Sequence, residues 1–222
     1  SSAGDSLQIN GYAAEEVTFL RRGLDGTDLI IALAETGDEI LVVGGLSANG
    51  LGRIESVDIA DAGLSLSYAD ILSRLNAAQS TDGNDIVLGT SVIDTLTGGA
   101  GIDTLIGLRG ADTYIYRAGD GDDLINDDAT SLGDVLRLPA LNISDIAFVA
   151  AAGENGQDLV IRFTGATDRV TIIDGLADGT DGIETIRFAD TTTWGKSDMR
   201  EAVLSYAATD GTDVIRGFAT DD

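Results

Sequence analysis

Four aspartates, Asp85, Asp94, Asp103 and Asp112, follow one another at intervals of nine residues. Two residues after each stands a large apolar residue: Val87, Leu96, Leu105 and Tyr114. Gly83, Gly101 and Gly110 each precede an aspartate by two. Residues 98–106, GGAGIDTLI, complete the pattern G-G-x-G-x-D-x-U-x, where U is a large apolar residue and Gly99 is the second glycine. After a two-residue slip the pattern returns as GDGDDLIN (119–126), with Asp120, Gly121, Asp123 and Ile125. The opening TDGNDIVLG (81–89) recurs as TDGTDVIRG (209–217), which puts Asp210 and Asp213 in the places of Asp82 and Asp85.

A carboxylate repeated at this spacing points to a hard cation. Six residues of each nonapeptide make a turn and three make a short strand, so two nonapeptides close one coil of a parallel β-roll. Residues 18 apart then stack. Asp85 over Asp103, and Asp94 over Asp112, come to lie about 4.8 Å apart, one strand spacing. Like charges at that distance are unfavourable unless a cation lies between them. Calcium suits flexible sites built only of oxygen. Glycine allows the turn to visit φ > 0 and to aim carbonyls at an ion.

The composition leaves little room for other chemistry. The chain of 222 residues has no Cys and no His, which removes disulfides, thiolate nucleophiles, imidazole triads and the usual zinc, copper and haem ligands. A formal charge of −25 argues against nucleic acid or an anionic membrane as partner. No run of 18 apolar residues occurs, so no membrane span is expected, and SSAGDSLQIN is polar and lacks the basic start and the apolar stretch expected of a cleavable signal. Aspartate outnumbers glutamate 30 to 8, which favours carboxylate-rich turns over helices. With 43% hydrophobic residues the chain can nevertheless bury a core.

The elements that must hold the aspartates come as a tandem repeat. Residues 17–33, 36–46, 54–61 and 81–89 match 146–163, 166–176, 183–190 and 209–217, at an offset that stays between 128 and 130. In the first copy the pattern predicts a hairpin of Val17–Leu20 and Leu29–Leu33 around Asp25-Gly26, strands at Glu39–Val43 and Ile54–Ile59, and a helix at Tyr68–Ala78. Ser67 and Asp70 would cap that helix, and Ile71, Leu72 and Leu75 would form its apolar face. The second copy predicts a helix at Asp198–Ala207 with Met199, Val203 and Tyr206 on one face. The expected fold is all-β: a short parallel β-roll flanked by β-rich modules that each end in a short helix. Its parts are a module at 1–79, the roll at 80–127, a second module at 128–208 and the start of a further roll at 209–222. Outward strand positions of the roll, Ile86, Leu88, Ile106 and Ile115, are apolar, which predicts a neighbouring element to cover them and a cap for the open end.

Residues 80–127 resemble the RTX, or haemolysin-type, calcium-binding repeats. The flanking DLVIRF, DRVTIIDGL and IETIRFADTTTW resemble the haemolysin-type calcium-binding-related domain that often follows them. The resemblance implies a secreted, extracellular or cell-surface protein, exported by type I secretion machinery and folded by calcium outside the cell, with a non-catalytic role. Departures from the motif fall at Ser80, Thr81, Thr90, Val92 and Leu108. A β-branched residue at Val92 fits φ > 0 poorly, so the turn ending at Asp94 should hold calcium weakly or not at all. The best site should be shared by the turns ending at Asp85 and Asp103, then Asp103 with Asp120–Asp123, with Asp94/Asp112 last. Other readings stay open. GDGDD resembles an EF-hand loop, but no Glu follows at the twelfth position. Carboxylate pairs could serve a glycosidase, and aromatics such as Trp194 and Phe188 a carbohydrate platform. The region could be an adhesive module binding cell-surface glycans or other copies of the array, or the tail of a secreted hydrolase or toxin.

Overall fold

A computed structural model describes residues 4–22, 27–47, 52–127, 132–165, 167–179 and 182–208. The expected Asp25-Gly26 turn and the segment 209–222, with Asp210 and Asp213, lie outside the described residues.

The first module contains β1 (Ser6–Ile9), β2 (Val17–Arg22), β3 (Asp28–Leu33), β4 (Asp38–Val42), β5 (Ser56–Ile59), β6 (Leu64–Ser67) and helix α1 (Tyr68–Ala77). Alternation sets the faces of β2: Val17 and Phe19 are buried, whereas Thr18 and Leu20 are exposed. β2, β3 and β4 form an antiparallel meander. β5 pairs parallel with β1 and antiparallel with β6. Helix α1 starts where Ser67 accepts from Asp70 N and the Asp70 carboxylate accepts from Ser67 N. Ile71, Leu72 and Leu75 are buried against Val17, Phe19 and Ile31, each such side chain contributing about 1.5–3 kcal/mol.

The roll follows as β7 (Ile86–Leu88), β8 (Thr95–Leu96), β9 (Thr104–Ile106), β10 (Thr113–Ile115), β11 (Asp122–Asn126) and β12 (Val135–Arg137). The odd-numbered strands stack in parallel in one sheet and the even-numbered strands in the other. Val87, Leu96, Leu105, Tyr114, Ile125 and Leu136 all point inward and are buried.

The second module supplies β13 (Ile146–Ala152), β14 (Asp158–Phe163), β15 (Arg169–Ile172), β16 (Thr185–Arg187), β17 (Thr193–Trp194) and α2 (Lys196–Ala207). Its order repeats that of β2–α1. β15 pairs parallel with β11, and β16 with β12, so these two strands make a fourth coil. Antiparallel β14 and β13 then close one sheet, and β17 closes the other. Both ladders run across the division expected between residues 127 and 128. One hydrophobic core extends from Val87 to Val203. Met199 and Val203 face it from α2, whereas Tyr206 is largely exposed and donates its phenol to Ile146 O at 3.0 Å.

The other end of the roll is closed by side chains. The Gln79 amide imitates a strand: it accepts from Leu88 N at 3.1 Å and donates to Leu88 O at 3.2 Å. Arg21 donates to Leu88 O at 2.8 Å and also to Gly89 O. The expected covering of the outward apolar positions is not general. Leu88, Ile106 and Ile115 are half-buried, but Ile86 is 69% exposed. The flanking elements cover the ends of the coils and leave this part of the sheet face to solvent.

Candidate metal centre

The turn aspartates stack in two rows. In one, Asp85 N donates to Asp103 Oδ1 at 2.8 Å, and Asp103 N to Asp123 Oδ1 at 3.1 Å. In the other, Asp94 N donates to Asp112 Oδ1, and Asp112 N to Asp134 Oδ1, each at 2.7 Å. Asp134 N then donates to Glu184 Oε2 at 2.9 Å. Each row is a ladder in which one carboxylate oxygen takes the backbone N–H of the coil before it. The second oxygen decides what else the site needs.

In the first coil, protein groups satisfy that oxygen. Asp85 Oδ2 accepts from Thr81 N and Thr81 Oγ1, both at 2.7 Å. Asp94 Oδ2 accepts from Thr90 N and from Thr90 Oγ1 at 2.8 Å, while Asn76 Nδ2 of α1 donates to Asp94 Oδ1 at 3.0 Å. The threonine hydroxyls also accept from Gly83 N and Val92 N. These side chains shape the two turns, and Val92 is not among the described non-glycine residues with positive φ. Asp82 sits exposed on the first turn.

In the second coil, Gly99 and Leu108 stand where Thr81 and Thr90 stood, four residues before the aspartate, and the situation reverses. Asp103 and Asp112 are each 0% exposed, yet Asp103 Oδ2 and Asp112 Oδ2 have no hydrogen-bond partner. A Cβ on Gly98 would run into Asp103 Oδ2, so that glycine is required by space and not by φ. Gly101 is required by both: its φ is +143°, and a Cβ would lie 2.5 Å from Gly83 O. Gly110 and Gly121 repeat this against Val92 O and Gly101 O, and Gly99 bridges to Thr81.

A buried carboxylate without a donor resists ionisation. Burial, with the charges of Asp94, Asp127 and Asp134 adding to it, pushes Asp112 up to about 8. Burial and the charges of Asp103, Asp120 and Asp122 push Asp123 up to about 7. Burial also raises Asp103 and Asp120 above the ordinary carboxylate range. These orphaned oxygens, in turns where glycine leaves backbone carbonyls within reach, fit an oxygen-seeking cation.

Residues 79–114 and 88–125 match the family model described as RTX calcium-binding nonapeptide repeat, and residues 158–198 match the haemolysin-type calcium binding protein related domain. The segment carries RTX calcium-binding repeats. No curated protein matches the chain. Among the described residues, no helix is long and apolar enough to cross a membrane.

The RTX rows extend past the matched repeats. Asp134 and Glu184 continue the second row, and Asp127 joins it, although none of the three falls on the nine-residue grid. A signal for two of them exists: Asp134 precedes Leu136, and Glu184 precedes Ile186, by the same two residues that separate each repeat aspartate from its apolar partner. The first module carries the same pair as Asp5 and Glu55, where Asp5 N donates to Glu55 Oε2 at 2.6 Å. Asn76 gave no comparable signal, because its role depends on α1 docking against the first coil, and the threonines show in the sequence only as departures from glycine, although their bonds to the aspartates four residues on are local. The aromatics that suggested a carbohydrate platform pack on each other, Phe188 edge-on to Trp194 at 5.2 Å, against the second core.

Proposed function

We propose that this chain is a calcium-dependent structural spacer in a large secreted RTX protein, folding on calcium outside the cell after export by type I secretion machinery. The observation that carries this reading is the pair of buried oxygens, Asp103 Oδ2 and Asp112 Oδ2, that no protein group satisfies. Two dications at such points relieve the like-charge stacking of the rows, in a chain whose formal charge is −25. Asp103 with Asp85, Asp123 and Asp120 would hold calcium in one row, and Asp112 in the other, with the turn carbonyls beside Gly99, Gly101, Gly110 and Gly121 as further ligands. The ion supplies charge and coordination that fix the turns. The reading assigns the chain no catalytic step.

The repeat of the whole module supports a spacer over a simple tail: β2–β6 with α1 and β13–β17 with α2 are built alike, and Asp5/Glu55 mirror Asp134/Glu184. Export in a low-calcium compartment and folding in a high-calcium one follow from millimolar-range sites, about 10⁻⁴–10⁻³ M for extracellular modules. Circular dichroism of the full chain during calcium titration tests this. Gain of β signal and of cooperative melting on calcium addition is expected. A chelated protein with the spectrum and melting temperature of the calcium form would overturn it.

A further inference from the structure

We propose that the calcium at Asp112 is held in a site built from the side-chain carboxylates of Asp112, Asp127 and Asp134, where the RTX roll meets its cap. The proposal rests on the calcium reading above and names a site within it.

One oxygen from each of the three carboxylates lies within 4.8 Å of the others. Asp112 and Asp134 are 0% exposed and Asp127 is 7% exposed. Two oxygens of the set already accept from the backbone ladder, Asp112 Oδ1 from Asp94 N and Asp134 Oδ1 from Asp112 N. Asp112 Oδ2 is the independent mark of a ligand, being fully buried with no donor.

The position of Asp127 explains why the oxygens meet. Gly89 and Gly107 each follow an inward apolar residue by two, Val87 and Leu105, and Asp127 stands in that same place after Ile125. A Cβ built on Gly107 would point at the Tyr114 phenol and lie 2.6 Å from Asp112 Oδ2. One coil further on, the protein has a real side chain at this position. Asp127 reaches inward there, and the Tyr114 phenol donates to its Oδ2 at 2.8 Å, which orients the carboxylate.

A set of buried carboxylates suits calcium, whose coordination is flexible, better than magnesium, which demands a near-ideal octahedron and keeps several waters. Calcium takes about six to eight oxygen ligands at about 2.3–2.6 Å, so turn carbonyls can complete the set. The ion would tie three strands together, because Asp112 precedes β10, Asp127 follows β11 and Asp134 precedes β12. Asp127 and Asp134 both lie beyond the matched repeats, which end at residue 125. Calcium held here would extend the metal-dependent part of the fold into the module that closes the roll.

The test is the number of calcium ions held by the full chain, measured by native mass spectrometry and calorimetry. Asp127→Gly restores the residue found in the two preceding coils, and Asp127→Asn keeps size and an acceptor for Tyr114. Each is expected to hold one ion fewer than the parent, with affinity at that site lowered on the order of tenfold or more. Terbium luminescence excited through tyrosine gives a local readout: Tyr114→Phe should lose a component of the emission while terbium stoichiometry stays the same. An unchanged ion count in both Asp127 variants would overturn the proposal and leave the calcium reading intact. If Asp127→Gly fails to fold, Asp127→Asn decides by the same count. A parent chain that binds no calcium would sink the functional reading itself.

Discussion

Asp94→Ala and Asp103→Ala remove the same group from neighbouring turns and should fail in opposite ways. Asp94 is buried and satisfied by protein: Asn76 Nδ2, Thr90 N and Thr90 Oγ1 all donate to it. Its removal strands the Asn76 amide and the Thr90 N–H, since the hydroxyl alone can turn to another acceptor. At about 1–3 kcal/mol for each stranded buried donor, the loss is about 2–6 kcal/mol, with or without calcium. Asp103→Ala strands only Asp85 N, and it also deletes a buried oxygen that has no donor. In chelator those two effects largely offset each other. With calcium at a hundred times Kd, loss of one site removes about 2.7 kcal/mol.

The quantity to compare is therefore the calcium increment, the melting temperature in calcium minus that in chelator. For a domain of this size about 2.7 kcal/mol is about 5–11 °C. Asp103→Ala should lose an increment of that order while its chelated form melts near the parent. Asp94→Ala should melt lower in both conditions and keep the parental increment. Thermal unfolding followed by circular dichroism reads both; if the chelated chain has no transition, the calcium midpoint of folding replaces the melting temperature. Equal increments in the two variants would refute the reasoning, because the partners of the second oxygen would then not decide where calcium binds.

Without calcium, stability should fall as pH rises. Asp112 and Asp123, moved from 3.8 to about 8 and about 7, hold protons more tightly when folded, so their stabilisation is full below about 4 and is lost through pH 7–8. A melting series in chelator should decline across that window, by up to about 1.4 kcal/mol per pH unit for each proton, and calcium should abolish the decline; a flat chelated series contradicts this. Gly98→Ala should lower stability by about 1–3 kcal/mol and weaken calcium binding, because its Cβ meets the Asp103 carboxylate; a variant with parental melting and binding would show that the turn has more room. Residues 80–127 alone should not fold in calcium, whereas 68–208, which keeps the Asn76 and Gln79 caps and the closing strands, should melt cooperatively; cooperative folding of the short piece would show that the caps are dispensable.

The roll was legible because its period is local. A nine-residue rhythm of Asp and an apolar residue places β7–β10 without knowledge of any distant contact. The capping box at Ser67 and the buried face of α1 were legible for the same reason. What hid the fourth coil was insertion. Along the rows the spacing grows from 18 residues to 20 between Asp103 and Asp123, 22 between Asp112 and Asp134, and 50 between Asp134 and Glu184. The β13–β14 hairpin occupies part of that last interval, so β15 and β16 return to the roll from far along the chain. A search at fixed period ends at residue 126, although the carboxylate with its apolar partner two residues on persists to Glu184 and Ile186. Leu108 departs from the glycine of the motif, yet its backbone keeps the left-handed conformation, φ +70°, at a cost of about 1–2 kcal/mol.

The distribution of donors along a row explains why the metal-dependent part sits in the middle. At the entry, Thr81, Thr90 and Asn76 supply hydrogen bonds that make the first coil self-sufficient. At the exit, Glu184 ends the second row by taking the N–H groups of both Gly133 and Asp134. Between them, Asp103 and Asp112 occupy turns in which Gly99 and Leu108 replace the two threonines and offer no donor side chain, and burial raises both carboxyls. A threonine at Gly99 is excluded because its Cβ would run into Thr81 O, and a Cβ at Gly98 or Gly107 would collide with the Asp103 or Asp112 carboxylate. Close packing of the coils thus keeps Asp103 without the hydroxyl donor that Thr81 gives Asp85, and Leu108 leaves Asp112 without the one that Thr90 gives Asp94. Dependence on a cation is therefore strongest in the second coil, and a calcium ion shared by Asp112, Asp127 and Asp134 would carry it into the third.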